Sequence, residues 1–484
     1  MNGVRFLLDG EIIEVDKVEP TRTLLQYLRE DLRRVGSKEG CAEGDCGACT
    51  VVVAELDNEQ LRYRAVNACI QFLPTIDGKA LFTVESLKAA DGSLHPVQQS
   101  MVDYHGSQCG FCTPGFIMSM FALYQVNTSP DRAEIDDALS GNLCRCTGYR
   151  PIVDACLHMH EYPTVDKNEK QLIALLRELD RDRRFSVERE SARYHAPVAL
   201  DDLAELYQQN PDAQILAGGT DVGLWVTKQL RELPTIIYLG NVAELRQIKS
   251  DGDAIEIGAA VSLTDAFDVL QLSYPELGEM FRRFASVPVR NAGTLVGNIA
   301  NGSPIGDSMP ALIAIDARVR LRLGQDSREL ALEDLYLDYM KNAMQPGEFV
   351  EAVIVPQPRA GTQLRCYKLC KRFDQDISAV CAAFALRLDG DQVADVRIAL
   401  GGMAAIPKRA QATEEYLLGE PWNEFTLVTA RQKLESDFAP MSDMRASSDY
   451  RARATANLLH RFYLETRPVD ALPSSAVNVF AVGS

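Results

Sequence analysis

The stretch Glu39-Gly-Cys-Ala-Glu-Gly-Asp-Cys-Gly-Ala-Cys49 places three cysteines, Cys41, Cys46 and Cys49, within nine residues. Its glycines favour a tight loop, because a backbone without side chains can wrap an inorganic core and point its amides at sulfur. A fourth cysteine, Cys69, follows after nineteen further residues. This spacing is that of plant-type ferredoxins and predicts an iron–sulfur cluster. Zinc is the alternative, although zinc motifs usually group their cysteines two and two.

A second set of cysteines lies in the stretches Gln108-Cys-Gly-Phe-Cys-Thr-Pro-Gly115 and Gly141-Asn-Leu-Cys-Arg-Cys-Thr-Gly-Tyr-Arg-Pro151. The set consists of two pairs, Cys109 with Cys112 and Cys144 with Cys146. Each pair precedes a predicted helix, and helix N-termini favour an anionic centre because their free N–H groups face it. The two-and-two grouping makes zinc a more serious alternative here. Beside the first set, we interpret the second as another cluster, so the chain is predicted to carry single electrons.

Composition limits the classes of function that fit this chain. Its 484 residues exceed one hydrophobic core and predict three or four domains. A formal net charge of -18 disfavours phosphate backbones and anionic lipid, so nucleic acid and membrane are not expected as partners. Residues 1–13 lack a signal-peptide pattern, and twelve cysteines without an export signal indicate metal ligation in the reducing cytoplasm. The strongly apolar stretch 115–126 is too short to span a bilayer.

Local patterning divides the chain into five regions. Alternating hydrophobicity around Asp9-Gly10 predicts a β-hairpin, whereas Thr113-Pro114 marks the start of a helix within a region of four helices. A charged, weakly patterned stretch with one predicted helix, over residues 172–179, follows. Short strands alternating with helices come next, and then two long strands and further helices. We therefore predict a β-rich domain, a helical domain, a linker, an α/β domain and an α+β domain at residues 1–85, 86–160, 161–192, 193–360 and 361–470.

Two glycine-rich stretches indicate a nucleotide-type ligand in the fourth region. The stretch Ile215-Leu-Ala-Gly-Gly-Thr-Asp221 predicts a strand, a glycine turn and a helix start, a combination that presents backbone N–H groups to a pyrophosphate. The stretch Asn291-Ala-Gly-Thr-Leu-Val-Gly-Asn-Ile-Ala-Asn-Gly-Ser-Pro-Ile-Gly-Asp307 is rich in glycine and small polar residues, which leave room for a close ligand. A compact surface loop is the alternative for this second stretch.

The three cysteine stretches together resemble the iron–sulfur and flavin part of the molybdenum hydroxylases, the family of xanthine dehydrogenase and aldehyde oxidoreductase. The resemblance covers about residues 1–470. It implies a multidomain α+β fold with a ferredoxin-like β-grasp domain, a four-helix domain, an FAD domain of the vanillyl-alcohol-oxidase (PCMH) type and a C-terminal flavoprotein domain like that of carbon monoxide dehydrogenase. Both clusters would be [2Fe-2S] centres.

The same resemblance implies a route for electrons. They would enter from a molybdopterin-binding large subunit, in an α2β2 heterotetramer, and pass through the helical-domain cluster, then the ferredoxin-like cluster, then FAD. NAD would be the final acceptor, with oxygen in competition. No catalytic residue is predicted on this chain, because the hydroxylation itself would take place on the molybdopterin partner.

The resemblance also assigns cofactor contacts position by position. The cluster ligands would be the two sets of four cysteines. The FAD contacts would be Leu216, Ala217, Gly218, Gly219, Thr220, Asp221, Phe284, Thr294, Gly297, Asn298, Asp307, Tyr339, Val350 and Lys368. Of these, residues 216–221 would hold the pyrophosphate, Phe284 would lie by the isoalloxazine, and Tyr339 would lie near the nicotinamide entry. The segment 368–377 would form a loop beside the flavin, with Gln375 in place of an acid found in the animal enzymes.

Other interpretations remain open from the sequence. The chain could serve another purine, aldehyde or N-heterocycle hydroxylase, or act as a stand-alone iron–sulfur flavoprotein carrier, or be a zinc-stabilised flavoprotein scaffold. Four further cysteines, Cys156, Cys366, Cys370 and Cys381, lie in apolar contexts and are predicted to be buried free thiols.

Overall fold

The computed structural model describes residues 3–89, 91–164 and 168–477. The chain divides into two compact units. The first comprises Met1–Arg246, Ser262–Asp265 and Ala285–Thr294, and the second comprises Gln247–Val261, Ala266–Phe284 and Leu295–Ser484. Each unit contains both sheets and helices, so the predicted multidomain α+β fold is confirmed. None of the described helices combines the length and the apolar character needed to cross a bilayer.

The first unit contains two sheets. Its strands are β1 (Val4–Leu8), β2 (Glu11–Val15), β3 (Thr50–Asp57), β4 (Gln60–Asn67), β5 (Ala80–Phe82), β6 (Phe185–Glu188), β7 (Arg193–Ala196), β8 (Gln214–Leu216) and β9 (Thr235–Tyr238). Five strands form the sheet β2-β1-β5-β3-β4, and four form the sheet β6-β7-β9-β8, in which β9 runs parallel to both neighbours. Side chains from both sheets, including Phe6, Tyr194 and Ile236, join one hydrophobic core.

The second unit contains three sheets. Its strands are β10 (Ile248–Ser250), β11 (Ala254–Gly258), β12 (Arg318–Leu323), β13 (Asp326–Ala331), β14 (Tyr336–Asp338), β15 (Lys341–Asn342), β16 (Phe349–Pro356), β17 (Thr362–Leu369), β18 (Val380–Asp389), β19 (Gln392–Gly401) and β20 (Lys408–Arg409). They form the sheet β10-β11-β16-β12-β13, the pair β14-β15 and the antiparallel sheet β17-β18-β19-β20. Helices cover the last sheet, where Phe384, Trp422 and Phe462 pack in a common core.

Seventeen α-helices are described along residues 3–89, 91–164 and 168–477. They are α1 (Leu24–Gln26), α2 (Pro96–Asp103), α3 (Thr113–Val126), α4 (Arg132–Leu139), α5 (Arg150–His158), α6 (Glu169–Leu179), α7 (Leu200–Gln209), α8 (Val222–Thr227), α9 (Leu263–Ser273), α10 (Gly278–Arg282), α11 (Val287–Ala292), α12 (Leu295–Asn301), α13 (Ser308–Ala314), α14 (Gln411–Leu417), α15 (Glu424–Asp437), α16 (Ser448–Thr466) and α17 (Ser474–Val477).

Helices α2 to α5 form the predicted four-helix region. Local sequence fixes their starts, because Pro114 occupies the first turn of α3 and the Asp131 carboxylate accepts the N–H of Glu134 at 2.9 Å, which caps α4. The helices bury one apolar cluster around Phe116, Phe121 and Ile152. Val52 of β3 belongs to the same cluster, so the helices pack directly on the ferredoxin-like sheet.

The predicted linker, residues 161–192, contains regular structure. Helix α6 and strand β6 lie within it, whereas residues 165–167 are outside the described part of the chain. Leu176 and Leu179 of α6 are buried against Leu7 and Ala80 of the first sheet. The periodic leucines of this charged segment therefore cover one face of the ferredoxin-like sheet.

A charged network ties the first sheet to a later segment of the same unit. The Glu55 carboxylate of β3 lies 3.6 Å from the Lys79 ammonium, 3.2 Å from the Arg246 guanidinium and 3.8 Å from that of Arg64. Burial opposes ionisation, but these three cations lower the pKa of Glu55 to about 2. Because the folded pKa lies below the unfolded one, the stabilisation is complete above about pH 5 and is lost as the pH falls towards 2.

Replacing Glu55 by Gln should therefore destabilise the chain at neutral pH. We expect a loss of about 3 kcal/mol, since the lowered pKa reports the interaction of the charged form with its neighbours. Urea denaturation at pH 7, followed by circular dichroism, measures the loss. Glu59→Gln is the matched control, because Glu59 makes an exposed surface pair with Arg177 that contributes little. Equal effects of the two substitutions would show that the network does not stabilise the unit.

Candidate cluster and flavin sites

The first cysteine set lies at one end of the β3–β4 hairpin. Cys49 immediately precedes β3 and Cys69 follows β4, and the pairing of Thr50 with Asn67 brings these two ends together. The Cys69 thiol lies within hydrogen-bonding reach of the sulfurs of both Cys49 and Cys41. Cys41 also contacts Cys46. The structure thus brings the four sulfurs of the first set together.

The loop that carries this set stabilises the thiolate of Cys41. Hydrogen bonds from Cys46 and Cys69 lower the pKa of Cys41, and backbone amides add to the effect. The N–H groups of Glu43, Asp45 and Cys46 point at the Cys41 sulfur at 3.5, 3.3 and 3.3 Å. Because only the thiolate binds metal, this environment fits a cluster ligand. Gly40 fits as well, since a side chain there would begin 2.7 Å from the Cys46 sulfur.

The second cysteine set lies at the starts of α3 and α5. Cys112 is the residue before α3, and Cys144 and Cys146 precede α5. The side chains of Cys109 and Cys146 contact each other, as do those of Cys112 and Cys144. Cys109 and Cys146 are exposed, whereas Cys144 is buried. This set therefore reaches the surface of the helical domain.

Thr147 and Tyr149 hold Cys144 in place. The Thr147 hydroxyl lies 3.0 Å from the Cys144 sulfur and its N–H lies at 3.4 Å, while the Cys144 N–H donates to the Tyr149 hydroxyl at 3.0 Å. Burial alone would raise the pKa of Cys144, but the Thr147 hydrogen bonds lower it. Cys144 is thus set up as a thiolate by residues of its own motif.

The two cysteine loops contact each other through hydrogen bonds. The Leu143 N–H donates to the Cys46 carbonyl at 3.0 Å. Leu143 precedes Cys144 of the second set and Cys46 belongs to the first, so this bond links the two sets. The buried Asn142 side chain donates to the Gly47 carbonyl at 3.1 Å and accepts from the Ser119 hydroxyl at 2.6 Å. Sequence reasoning missed this bridge, although Asn142 stands in the quoted motif as a polar residue beside the cysteines.

Neither cysteine set, among the described residues, has the geometry of a site for a single metal ion. Among residues 3–89, 91–164 and 168–477, no group of three or more His, Cys, Asp or Glu side chains is arranged to hold a metal ion. A [2Fe-2S] centre divides its four thiolates between two irons, so such a site requires that each sulfur lie in contact with a neighbouring sulfur. Both sets show those contacts.

Part of the predicted flavin site lies in the first unit, as a glycine turn between β8 and α8. Gly219 has a φ of 75°, a conformation that favours glycine. A side chain on Gly218 would begin 1.9 Å from the Ala292 carbonyl, so the turn packs tightly against the segment before Thr294. Leu216 is buried beneath the turn. The bare backbone of this turn fits the close approach of a pyrophosphate.

The remaining predicted flavin contacts lie in the second unit, namely Phe284, Gly297, Asn298, Asp307, Tyr339, Val350 and Lys368. The Lys368 ammonium lies 2.6 Å from one oxygen of the buried Asp307 carboxylate and donates to Ser378 at 2.9 Å. The other Asp307 oxygen is buried without a hydrogen-bond partner among the described residues. A buried acceptor of this kind fits a ligand that donates hydrogen bonds, such as a ribose hydroxyl.

The other members of this group occupy varied positions. Asn298 accepts the Ser308 hydroxyl at 2.5 Å, and Phe284 and Val350 are buried. Tyr339 is exposed between β14 and β15. The described hydrogen-bond partners of the Lys368 ammonium are Asp307, Asp376 and Ser378, and they do not include Tyr339 or Val350. The structure therefore joins Asp307 and Lys368 directly and places Tyr339 at the surface.

Arg283, which the sequence did not single out, holds the loop after β17. Its guanidinium donates to the Cys370 sulfur at 3.0 Å and to the Lys368 carbonyl at 3.2 Å, and lies 4.8 Å from the centre of the Phe373 ring. At the far end, the Asp376 carboxylate accepts the N–H groups of Lys371 and Arg372. These contacts fix both ends of the loop.

The further cysteines behave only partly as predicted. Cys156 and Cys381 are buried, as expected for structural thiols. Cys366 and Cys370 were predicted to be buried but are half-buried. The reason for Cys370 is that it lies beyond the end of β17, in the loop, where the apolar pattern of the sequence continues but the sheet does not.

Four family models match successive parts of the chain. They are described as a 2Fe-2S iron-sulfur cluster binding domain (residues 6–73), a [2Fe-2S] binding domain (83–157), an FAD binding domain in molybdopterin dehydrogenase (186–358) and a CO dehydrogenase flavoprotein C-terminal domain (365–466). The chain has the domain composition of the iron–sulfur and FAD region of the molybdenum hydroxylases. Two [2Fe-2S] domains and an FAD-binding domain are therefore present.

Curated relatives and solved structures agree with this assignment. The chain is 31% identical to xanthine dehydrogenase of Emericella nidulans, over 95% of this chain and 38% of the relative. It is 32% identical to xanthine dehydrogenase 1 of Arabidopsis thaliana, over 99% of this chain and 40% of the relative. The chain thus spans about two-fifths of the length of these relatives.

Among solved structures, carbon monoxide dehydrogenase from Hydrogenophaga pseudoflava matches with a TM-score of 0.53 and 27% identity, over 57% of this chain and 96% of that one. Quinoline 2-oxidoreductase from Pseudomonas putida 86 matches with a TM-score of 0.52 and 23% identity, over 59% of this chain and 100% of that one. The second likeness shows the fold alone.

Replacing Cys69 by Ala should remove one of two paramagnetic signals from the reduced protein. Cys69 contacts two other sulfurs of the first set, so its loss leaves that cluster one ligand short. Electron paramagnetic resonance of the dithionite-reduced chain measures the signals. The control, Cys156→Ala, should keep both, since Cys156 is buried among apolar residues of the helical domain. Retention of both signals in Cys69→Ala would refute the ligand assignment.

Replacing Gly218 by Val should lower the flavin content without affecting the clusters. A valine side chain would collide with the Ala292 backbone and displace the turn, so we expect at least about a tenfold loss of FAD affinity, roughly 1.4 kcal/mol or more. Absorbance of released flavin and the iron content of the same sample measure the two effects. Normal flavin binding would exclude this turn from the FAD site.

Proposed function

We propose that this chain is the iron–sulfur and FAD subunit of a xanthine dehydrogenase. It would pass electrons from a molybdopterin-binding large subunit, where xanthine or hypoxanthine is oxidised, through the helical-domain cluster and the ferredoxin-like cluster to FAD and then NAD. When bound, the clusters would carry single electrons, and FAD would take up two of them one at a time and pass them to NAD together, as a hydride. The observation that carries the proposal is the hydrogen-bonded contact between the two cysteine loops, through Leu143 and Cys46.

The ligands for this proposal are those predicted from the sequence. We propose that Cys109, Cys112, Cys144 and Cys146 hold one [2Fe-2S] cluster and that Cys41, Cys46, Cys49 and Cys69 hold the other. The thiolate environments of Cys41 and Cys144 support the assignment, because hydrogen bonds lower the pKa of each. Zinc at either set stays an outcome that metal analysis would reveal.

The exposure of the second set supports its place at the electron entry. Cys109 and Cys146 are exposed, and apolar side chains surround them: Phe111, Leu143 and Tyr149 are 46%, 40% and 40% exposed. Apolar residues around a redox centre at the surface are typical of a docking face for a protein partner. This face suits the proposed molybdopterin subunit, in a two-plus-two heterotetramer in the cytoplasm.

The glycine turn supports the proposal that electrons pass from the clusters to FAD. We propose that residues 216–221 contact the FAD pyrophosphate, and that the other predicted residues are further FAD contacts, namely Phe284, Thr294, Gly297, Asn298, Asp307, Val350 and Lys368. The turn leads into α8, which packs on Ile70 beside Cys69. The ferredoxin-like cluster is therefore the proposed donor to FAD.

The acceptor is proposed from the second unit. Tyr339 is exposed and suits stacking on a nicotinamide or adenine ring, and the segment 368–377 carries Gln375 where animal enzymes have an acid. The neighbouring acid, Asp376, is present in this chain. Burial alone would raise the pKa of its carboxyl, but hydrogen bonds from backbone N–H groups lower it. NAD is therefore the proposed acceptor, with oxygen in competition.

A second candidate is the corresponding subunit of another molybdenum hydroxylase, acting on an aldehyde, another purine or an N-heterocycle. It is supported by the likeness to carbon monoxide dehydrogenase over 57% of this chain, because that protein is named for a different substrate. The substrate pocket would lie on the partner in either case. A stand-alone iron–sulfur flavoprotein carrier is the alternative from a different class.

Native purification of the complex tests the proposal. We expect a large molybdenum-containing subunit to accompany the chain, with two irons for each cluster, one flavin, and reduction of NAD that depends on xanthine. Activity with aldehydes or N-heterocycles but not xanthine would favour the second candidate. A chain that purifies without any molybdenum subunit would favour the stand-alone carrier, and zinc in place of iron would contradict both.

A further inference from the structure

The residues after the glycine turn bind the loop of the first cysteine set. The Thr227 hydroxyl donates to the Ala42 carbonyl at 2.8 Å, and the Lys228 ammonium donates to the Cys41 carbonyl. Lys228 also forms an ion pair with Glu43, with 3.7 Å between nitrogen and oxygen. Two consecutive residues at the end of α8 thus bind two consecutive carbonyls of the loop, one of which belongs to a cysteine of the set.

The sequence of this loop is acidic. Glu39, Glu43 and Asp45 stand within the stretch that carries the first three cysteines. Lys38 is next to the loop in sequence, but its ammonium donates to the carbonyls of Val35 and Gly36 instead. Lys228 therefore supplies a positive charge to a Cys41 loop that is rich in carboxylates.

We propose that Lys228 sets the reduction potential of the ferredoxin-like cluster and that Glu43 opposes it. The inference rests on the proposed ligation of a [2Fe-2S] cluster by the Cys41 set. One-electron reduction adds a negative charge at the cluster, with the electron supplied by the proposed route, and no bond is made or broken in the protein. A cation on the Cys41 carbonyl favours that added charge, whereas a carboxylate two residues away disfavours it.

The size of the effect follows from exposure. The Lys228 and Glu43 side chains are 41% and 44% exposed, so water screens both charges. With this screening, one charge beside the Cys41 loop corresponds to about a threefold change in the ratio of reduced to oxidised cluster at a fixed solution potential. Added salt should reduce the difference further, because exposed charges are screened within about 8 Å at physiological ionic strength.

Redox titration of the intact chain, followed by electron paramagnetic resonance, tests the proposal. In Lys228→Met the signal of the ferredoxin-like cluster should titrate at lower potential than in the unaltered chain, while the other signal is unchanged. Glu43→Gln should shift the same signal to higher potential. Lys228→Arg keeps the charge and should restore the original potential, which a role in packing alone would not predict.

The same experiment distinguishes a failure of the Lys228 proposal from a failure of the proposed function. A chain that contains iron and shows both signals, but whose ferredoxin-like potential is the same in Lys228→Met, would overturn the role of Lys228 and leave the proposed function intact. A shift of both signals by the same amount would also overturn it, because the contact is to one loop. A chain without the two signals would contradict the proposed function itself.

Discussion

The first unit depends on a close approach of two backbones that only glycine permits. A side chain on Gly47 would begin 2.1 Å from the Gly141 carbonyl, and one on Gly115 would begin 2.1 Å from the Gly47 carbonyl. Any larger residue would separate the two loops by the width of a side chain. The hydrogen bond from Leu143 to Cys46 can form only because the two backbones lie this close together. Electron transfer by tunnelling depends steeply on distance, so these glycines serve the chemistry as well as the packing.

A second close approach places the glycine turn on the same loop region. A side chain on Gly223 would begin 2.5 Å from the Ile70 carbonyl, next to Cys69. The α8 helix therefore lies directly on the end of the β3–β4 hairpin, and its last residues reach Ala42 and Cys41. The cysteine loops and the glycine turn are thus parts of one unit, joined by backbone contacts rather than by long side chains. Such contacts give a rigid arrangement, as a chain of redox centres requires.

Local features of the fold could be predicted from the sequence, because their causes are local. The ferredoxin-type cysteine spacing, the hairpin at Asp9-Gly10 and the start of α3 at Pro114 each follow from a few neighbouring residues, and the structure has β1, β2 and α3 at these places. The contacts between distant segments could not be predicted in this way. Asn142 is an ordinary polar residue by type, and only its burial against Gly47 shows its role.

The same distinction applies to the flavin residues. The glycine pair alone is a weak signal, because such turns are common, and the prediction also needed the second glycine-rich stretch and the family resemblance. Gly219 has a positive φ, a conformation that favours glycine. Arg283 carried no local signal, since its partners Cys370 and Phe373 lie far along the chain. Helix α6 is an intermediate case, because the sequence predicts a helix over residues 172–179 but not that its leucines pack on the ferredoxin-like sheet.

The most direct measurement is microwave power saturation of the two paramagnetic signals in the fully reduced, intact chain. If the cysteine loops touch as described, the two clusters lie close enough to interact magnetically, and each signal should relax faster when both clusters are reduced than when one is. Two signals that saturate independently, or a single signal, would contradict the contact on which the account depends.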